Sequence, residues 1–281
     1  MIIDFHTHIF PSFIRENRVK FFSKEPAFKT LYSSPDSRLV GRKELLQNMD
    51  EEEIHKSVIF GFPWQKSDLF KKHNDYILES VQLYPDRFIG FCCFDPLSKK
   101  AAEETEKCLK AGCSGVGELA VYGQDFTPEI ISAFNDTMAV SASFDVPFLI
   151  HSNEPLGHQY PGKQPMTLKG LFGLLNKFPS NKIVLAHWGG GIFFYSLMKK
   201  AIKKALKNIW FDTAASPYLY EQDIYKKAVE IIGPEKILFG SDFPLIKPSR
   251  YFKEMESAGL SSESIDMIKG GNAVHLLGLN D

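Results

Sequence analysis

The chain has 281 residues, 44% of them hydrophobic, and its 33 basic and 34 acidic residues leave a net charge of -1. This length suits one large α/β domain, and the charge balance excludes the basic surface that binds nucleic acid or an anionic membrane. No apolar run reaches the roughly 18 residues of a membrane span, and the start Met-Ile-Ile-Asp lacks the features of a signal peptide. We therefore expect a cytoplasmic protein with reduced cysteines.

Short β-rich runs alternate with helical patterns along the chain. The strand candidates are rich in Val, Ile, Leu and Phe, as strands of a buried parallel sheet are. They cover residues 2–6, 57–62, 88–94, 115–119, 147–151, 182–187, 209–213 and 236–241. Helical patterns cover residues 42–53, 74–83, 101–111, 128–141, 167–177, 192–206, 221–232, 251–257, 262–269 and 272–277. This alternation predicts a distorted (β/α)8 TIM barrel. The competing open sheet lacks support, because no Gly-x-Gly-x-x-Gly follows the first strand.

Two long segments interrupt the alternation. Residues 10–40 form an insert after the first strand, and residues 153–164 form a long loop after the fifth. Both are predicted at the carboxyl end of the barrel, where barrel enzymes carry their sites. The chain has no linker or repeat, so we expect a single domain, residues 1–281. Aromatic residues of the insert could cover the barrel mouth or a second subunit, and we favour a homodimer.

Polar residues stand at the carboxyl ends of the predicted strands. The i, i+2 spacing of His6 and His8 places both imidazoles on one face of the first strand. The ends of the fourth, fifth, sixth and eighth strands carry Glu118, His151, His187 and Asp242. In a barrel these ends form a ring, so a shared divalent metal would satisfy all of the buried polar groups. Taken singly, each residue has a structural interpretation, such as a helix cap or an Asx turn. Their joint placement favours a metal site.

Other side chains have weaker signals. His55 and His73 fall near predicted helix ends and are expected at the surface. The candidate substrate-binding residues Trp64, Glu154, His158 and Trp188 follow predicted strands or lie in the second long loop. A plain packing or loop role is the alternative for each of them.

The motifs, from residues 4–8 (Asp-Phe-His-Thr-His) to residues 271–279, resemble the amidohydrolase superfamily. Within it they are most similar to the amidohydrolase-2 branch, the aminocarboxymuconate-semialdehyde-decarboxylase-like proteins. The resemblance implies a divalent metal, commonly zinc, with the ligands His6, His8, His151 and Asp242. It also implies that His187 positions or protonates substrate and that Asp242 accepts a proton from bound water. Glu118 resembles the bridging glutamate of TatD-type hydrolases, which leaves a second metal open.

Three functions fit this site. The first is hydrolysis of an amide, ester or lactone of a small molecule by metal-activated water. The second is non-oxidative decarboxylation of a small carboxylic acid, for which Lys163, Lys247 and Arg250 are candidate anion-binding groups. The third is a metal-binding barrel without catalysis. We favour hydrolysis, with Asp242 and His187 as the reacting groups, because of the mechanism and the frequency of hydrolases in this superfamily. The extra carboxylate of Glu118 favours it too, since it would disfavour an anionic substrate.

Overall fold

Eight parallel strands lie side by side in chain order. The computed structural model describes residues 1–279. The strands are β1 (Ile3–His8), β2 (Lys56–Phe60), β3 (Phe88–Cys92), β4 (Gly115–Leu119), β5 (Phe148–Ile150), β6 (Ile183–Leu185), β7 (Ile209–Asp212) and β8 (Ile237–Leu238). The sheet closes because the backbone N–H of Phe5 donates to Phe239 O at 2.8 Å and that of His8 to Phe243 O at 2.9 Å. The predicted distorted (β/α)8 barrel is confirmed. The single domain over residues 1–281 extends two residues past the described part and stays a prediction.

Helices cover the outside of the barrel between the strands. They are α1 (Ser12–Arg15), α2 (Pro26–Tyr32), α3 (Arg42–Glu51), α4 (Ser67–Leu83), α5 (Ala101–Lys110), α6 (Pro128–Ala133), α7 (Asn135–Ser143), α8 (Leu168–Lys177), α9 (Ala201–Ala205), α10 (Ser216–Leu219), α11 (Asp223–Ile232), α12 (Pro248–Ser257), α13 (Ser262–Asp266) and α14 (Asn272–Leu277). The 3₁₀ segments are Arg18–Phe21, His187–Leu197 and Pro234–Lys236, and Met267–Gly271 forms a π turn. Within residues 1–279, no helix has both the length and the apolar composition of a membrane crossing.

The segment after β6 is not the continuous helix predicted over residues 192–206. It runs as a 3₁₀ segment with a left-handed stretch, in which Gly189, Gly190 and Gly191 have φ values of 62°, 59° and 86°. At Gly190 a Cβ would lie 2.2 Å from Asn153 O, so only glycine lets this turn pack against the chain that follows β5. The regular helix α9 covers only five residues. The turn holds the residues after β5 and β6 close together at the barrel mouth.

The insert after β1 contains two helices rather than one long loop. Phe28 of α2 is fully buried, and its ring centroid lies 4.6 Å from that of Trp64 and 5.4 Å from that of Phe62. Tyr32, at the end of α2, packs on Phe10 with ring centroids 5.4 Å apart. The insert is thus anchored to the residues that follow β1 and β2, beside the barrel mouth.

His73 is buried, so the prediction of a surface position is wrong. The helix α4 begins at Ser67, earlier than predicted, and His73 therefore lies within the helix rather than at its start. Its Nδ1 accepts a hydrogen bond from the indole N–H of Trp64 at 2.9 Å, and its Nε2 lies 2.7 Å from Ile9 O, to which it donates. Burial lowers the pKa of His73 to about 4, against the opposing effect of the bond to Ile9 O.

Replacing His73 should remove a pH dependence of folding. Because its pKa is about 4 in the folded chain and 6.5 in the unfolded chain, neutral His73 stabilises the fold above pH 6.5. That contribution is lost as the pH falls towards 4. We expect the free energy of unfolding of wild type, relative to His73→Gln, to drop by roughly 2–3 kcal/mol between pH 7 and pH 4.5. Urea unfolding of both proteins, with a metal chelator present, measures this difference.

The glutamine keeps a donor within reach of Ile9 O but does not titrate, so its fixed structural cost cancels between the two pH values. An equal difference between wild type and variant at both pH values would show that His73 does not titrate between the folded and unfolded states as described.

Candidate metal centre

Six polar side chains converge at the carboxyl ends of five strands. They are His6 and His8 of β1, Glu118 of β4, His151 after β5, His187 after β6 and Asp242 after β8. Donor atoms from three overlapping triples lie within 4.8 Å of one another. The triples are His6, His8 and Glu118; His6, His187 and Asp242; and Glu118, His151 and His187. The structure therefore brings together every residue that the sequence named as a metal ligand or reacting group.

Glu118 and Asp242 both approach the two β1 histidines. Glu118 Oε2 is 3.7 Å from Nε2 of both His6 and His8. Asp242 Oδ1 is 3.6 Å from Nε2 of His6 and 3.5 Å from Nε2 of His8. These separations are too long for strong hydrogen bonds, and they are close to the roughly 3–3.5 Å that separates two ligands of one ion. The spacing fits a cation held between the donors.

Hydrogen bonds on the far side of three imidazoles orient their rings. Nδ1 of His6 lies 2.7 Å from Asp212 Oδ2, Nδ1 of His8 lies 3.1 Å from Gly61 O, and Nδ1 of His187 lies 3.0 Å from Ala214 O. Each partner is an acceptor, so Nδ1 carries a proton, and Nε2 faces the centre, where its lone pair is available to a metal in the neutral ring. Such bonds fix the tautomer that a metal requires.

Two imidazole nitrogens of the centre have no hydrogen-bond partner. Nε2 of His6 and Nε2 of His151 are buried and make no hydrogen bond to any residue of the range 1–279. His151 is oriented by Glu118 itself, whose Oε1 accepts from Nδ1 of His151 at 3.0 Å. A buried acceptor without a partner costs free energy. A bound divalent ion would satisfy both, so the donor set fits a metal.

The close packing of opposite charges shifts the pKa values of the cluster. Burial lowers the pKa of His6, but the carboxylates of Asp212 and Glu118 outweigh it and raise the pKa to about 10. Burial also lowers the pKa of His187, but Glu118 and Asp242 outweigh it and raise that pKa to about 9. Burial raises the pKa of Glu118, yet the neighbouring imidazoles bring it well below its usual range. Because a metal binds only the neutral imidazole, loading the centre would release protons.

The backbone at two of these residues is held in the left-handed region. His187 has φ 54° and Asp242 has φ 58°, which is uncommon for residues other than glycine. Asp242 is followed by Phe243, whose carbonyl accepts the hydrogen bond from His8 described above. Such conformations persist where surrounding contacts determine them, and they concentrate at functional sites.

Asp212 is a member of this site that the sequence reasoning missed. It is fully buried at the end of β7, and besides His6 it accepts from the backbone N–H of His187 at 2.8 Å and of Ala214 at 3.0 Å. One carboxylate thus orients a ring from β1 and the chain after β6. The signal was present, because Asp212 is a polar residue at the end of a predicted apolar strand, as the other site residues are.

The structure separates the two tryptophans from the site. Trp64 is fully buried, and its indole N–H is donated to His73. Trp188 is fully buried as well, and its indole N–H is donated to Ser216 Oγ at 2.6 Å. Neither presents a free surface to a substrate. Both are therefore packing residues here, which was the alternative interpretation.

Glu154 and His158 lie in the loop after β5. Glu154 accepts from the hydroxyl of Tyr160 and from Nζ of Lys163, both at 3.0 Å. The same Lys163 Nζ donates to His158 O at 3.1 Å, while the His158 ring packs 5.6 Å from that of Tyr160. These contacts bind the loop to itself, and the charged groups of Glu154 and Lys163 are occupied with each other.

A family model described as amidohydrolase, of the amidohydrolase-2 type, matches residues 3–279. The chain belongs to the amidohydrolase-2 family. The match covers the β1 histidines and every other residue of the centre, and it confirms the resemblance drawn from the sequence.

Several relatives of the chain are decarboxylases by name. The gamma-resorcylate decarboxylase of Polaromonas sp. is 26% identical over 255 residues, which span 75% of this chain and 76% of that protein. The 2-amino-3-carboxymuconate-6-semialdehyde decarboxylase of Dictyostelium discoideum is 23% identical over 265 residues, or 79% and 71% of the two chains. A solved 5-carboxyvanillate decarboxylase from Novosphingobium aromaticivorans, complexed with manganese and 4-hydroxy-3-methoxy-5-nitrobenzoic acid, shares the fold with a TM-score of 0.79. It is 18% identical and covers 99% of this chain and 96% of its own.

These relatives contradict the prediction that the protein hydrolyses an amide, ester or lactone. They favour the alternative, decarboxylation. The argument from Glu118 was wrong because it treated this carboxylate as a free charge. In the structure it lies against four imidazoles, at 3.0 Å from His151, 3.5 Å from His187 and 3.7 Å from His6 and His8. Its charge is compensated and does not oppose an anionic substrate.

Replacing Asp212 by asparagine should weaken metal binding about 10–100-fold. If the amide oxygen keeps the two backbone N–H donors, the amide nitrogen faces Nδ1 of His6 and forces that nitrogen to act as an acceptor. The proton then moves to Nε2, the atom that faces the centre. Competition titration with a metal-binding dye measures the affinity, and Asp86→Asn, at an exposed site before β3, is the matched control. Equal affinity of wild type and Asp212→Asn would rule out this orienting role.

Proposed function

We propose that the protein is a metal-dependent, non-oxidative decarboxylase of a small aromatic carboxylic acid. The observation that carries the proposal is the match to gamma-resorcylate decarboxylase over three quarters of both chains, together with a converging set of histidine and carboxylate donors. The structural neighbour bound to a nitrobenzoic acid supports an aromatic substrate.

The wall beside the centre suits an aromatic ring. Tyr122 stacks on Phe62 with ring centroids 5.6 Å apart and an interplanar angle of 16°. Tyr32 approaches the same phenylalanine, at 6.1 Å between centroids. The imidazole of His151 lies 6.3 Å from the ring of Tyr122, so the aromatic wall adjoins the metal donors directly. A flat apolar surface next to a charged centre is complementary to a benzoate.

His6, His8, His151 and Asp242 would hold one divalent metal, with Glu118 beside them. When bound, the ion would supply positive charge and Lewis acidity to the oxygen atoms of the acid. Manganese is the first metal to test, because solved neighbours of this fold are complexed with it. Imidazole donors also suit zinc, the metal expected from the sequence. A second metal bridged by Glu118 is the alternative to a mononuclear centre.

His187 and Asp242 are the groups placed to move a proton. Nδ1–H of His187 is donated to Ala214 O, so its Nε2 faces the centre, where Asp242 contributes a carboxylate to the same triple. Decarboxylation breaks the bond between the ring carbon and the carboxylate carbon, and the electron pair stays on the ring carbon. That carbon then forms a bond to a proton delivered by the His187–Asp242 pair, and CO2 leaves. The pair regains a proton from water.

The substrate class is tested with a panel of hydroxybenzoic acids and CO2 release as the readout. On manganese-loaded protein, we expect at least one acid with a hydroxyl beside its carboxylate to lose CO2. His187→Asn should lower kcat by roughly 10²–10⁴-fold while the metal content stays unchanged. His275→Asn, in the exposed last turn of α14, is the control.

Failure of the loaded wild type to release CO2 from any acid of the panel would sink the decarboxylase proposal. Full activity of His187→Asn would instead leave the reaction class standing and remove His187 from it.

The metal stoichiometry is a separate prediction. We expect about one divalent ion per chain, by elemental mass spectrometry, on protein purified without chelator or nickel. Replacing His6 and His8 together by alanine should remove it, while far-ultraviolet circular dichroism stays that of the wild type. Two ions per chain would assign Glu118 as a bridge, and none after incubation with manganese or zinc would contradict the proposed centre.

A further inference from the structure

An aromatic acid brings a carboxylate that needs hydrogen-bond donors or a cation. The three cations named from the sequence pair with carboxylates outside the centre. Lys163 pairs with Glu154 at 3.0 Å, Arg250 with Glu254 at 3.2 Å, and Lys247 lies in solvent beside a glutamate at the end of α3. Among residues 1–279, no lysine or arginine forms an ion pair with a carboxylate of the metal centre. The donors for the substrate must therefore be sought among neutral groups.

Tyr122 is the first such group. It follows β4 directly, a few residues after Glu118, and is half-buried. Its ring has two aromatic neighbours, through the stack on Phe62 and the approach to the imidazole of His151. A ring with these two neighbours has little freedom, so the position of the Tyr122 ring beside His151 is defined.

Tyr32 reaches the same place from the insert. It is the last residue of α2, and its ring packs edge-on against Phe10 and Phe62. Phe10 follows the β1 histidines, so the insert presents this phenol to the barrel mouth. Burial raises the pKa of both phenols, and the carboxylates of Asp242 and Glu118 raise it further. Both hydroxyls therefore remain donors at neutral pH.

The hydroxyls of Tyr32 and Tyr122 make no hydrogen bond to any residue in the described part of the chain. The hydroxyls of some other tyrosines are already paired within the chain. The hydroxyl of Tyr251 donates to Ser241 O at 2.7 Å, and that of Tyr160 donates to Glu154 at 3.0 Å. Both residues are only partly buried, so the two hydroxyls are free to donate to a ligand or to ordered water.

We propose that Tyr32 and Tyr122 are the specificity-determining residues that hold the substrate, their hydroxyls donating to the carboxylate oxygens of the aromatic acid while the buried Phe62 holds the two tyrosine rings in place. This inference rests on the proposed decarboxylase function. It replaces the arginine or lysine expected from the sequence with two neutral donors. A pocket built to hydrogen-bond a substrate group discriminates strongly against the analogue that lacks it.

The test compares acid binding with binding of the same ring without its carboxylate. The probe pairs are 2,6-dihydroxybenzoate with resorcinol and salicylate with phenol, titrated calorimetrically into the full-length manganese-loaded protein. The variants are Tyr32→Phe, Tyr122→Phe and the double replacement. Tyr84→Phe is the matched control, because Tyr84 is half-buried and precedes β3, at the opposite end of the barrel.

We expect each single variant to bind the acids about tenfold more weakly, which is the effect of losing one hydrogen bond to a charged group. Binding of the neutral partners should change less than threefold, and for a turned-over acid KM should rise more than kcat falls. The metal content should equal that of the wild type. Unchanged acid binding, or equal losses for the acid and its neutral partner, would overturn the proposal.

The outcome also separates this inference from the proposed reaction. Acid binding that depends on the two tyrosines, without CO2 release, would support the inference and contradict the decarboxylase function. CO2 release that is insensitive to both replacements would contradict the inference and support the decarboxylase function. A loaded wild type that binds none of the acids would contradict both.

Discussion

Buried carboxylates and imidazoles at the barrel mouth hold one another in place, and the rest of the site depends on this mutual compensation. Asp212 is fully buried and Glu118 nearly so, and an unpaired charge in such a position would cost several kcal/mol. His6 lies between them, at 2.7 Å from one and 3.7 Å from the other. The pKa of His6 rises and that of Glu118 falls because each group supplies the charge that the other lacks. The same donors are spaced closely enough to face a single divalent ion.

The barrel allows this arrangement because each charged partner comes from a different strand. Each therefore needs only a short segment to reach the centre. The ends of β1, β4 and β7 bring their polar side chains inward while the preceding residues pack in the core. The chain after β6 turns in a left-handed run, and Gly190 there lies against the backbone of Asn153. This close approach sets His187 next to His151, with ring centroids 5.0 Å apart.

The sequence predicted the barrel and the convergence of six polar residues well, because both follow from local patterns. Strand periodicity places His6 and His8 on one face, and parallel strand ends must meet. Three-dimensional packing decides what it missed. Asp212 contacts a ring nitrogen of His6, whereas the predicted site residues face the centre. The left-handed turn after β6 depends on the contact of Gly190 with the backbone of Asn153. Trp64 was a pocket candidate because it follows a predicted strand, and its packing partner, His73, was predicted at the surface.

The reaction class could not be predicted from local sequence patterns, for a different reason. Histidine and carboxylate donors that activate water can equally hold an acid, so the motif is shared by hydrolases and decarboxylases. What distinguishes the two is the surface beside the metal donors, and here that surface is built by residues remote in sequence. Tyr32 comes from the insert, Phe62 follows β2 and Tyr122 follows β4, yet their rings form one wall next to His151. An apolar wall with neutral donors leaves the positive charge of the site to the metal and the imidazoles. Such a surface suits a flat anion better than an extended amide, and it agrees with the relatives that act on aromatic acids.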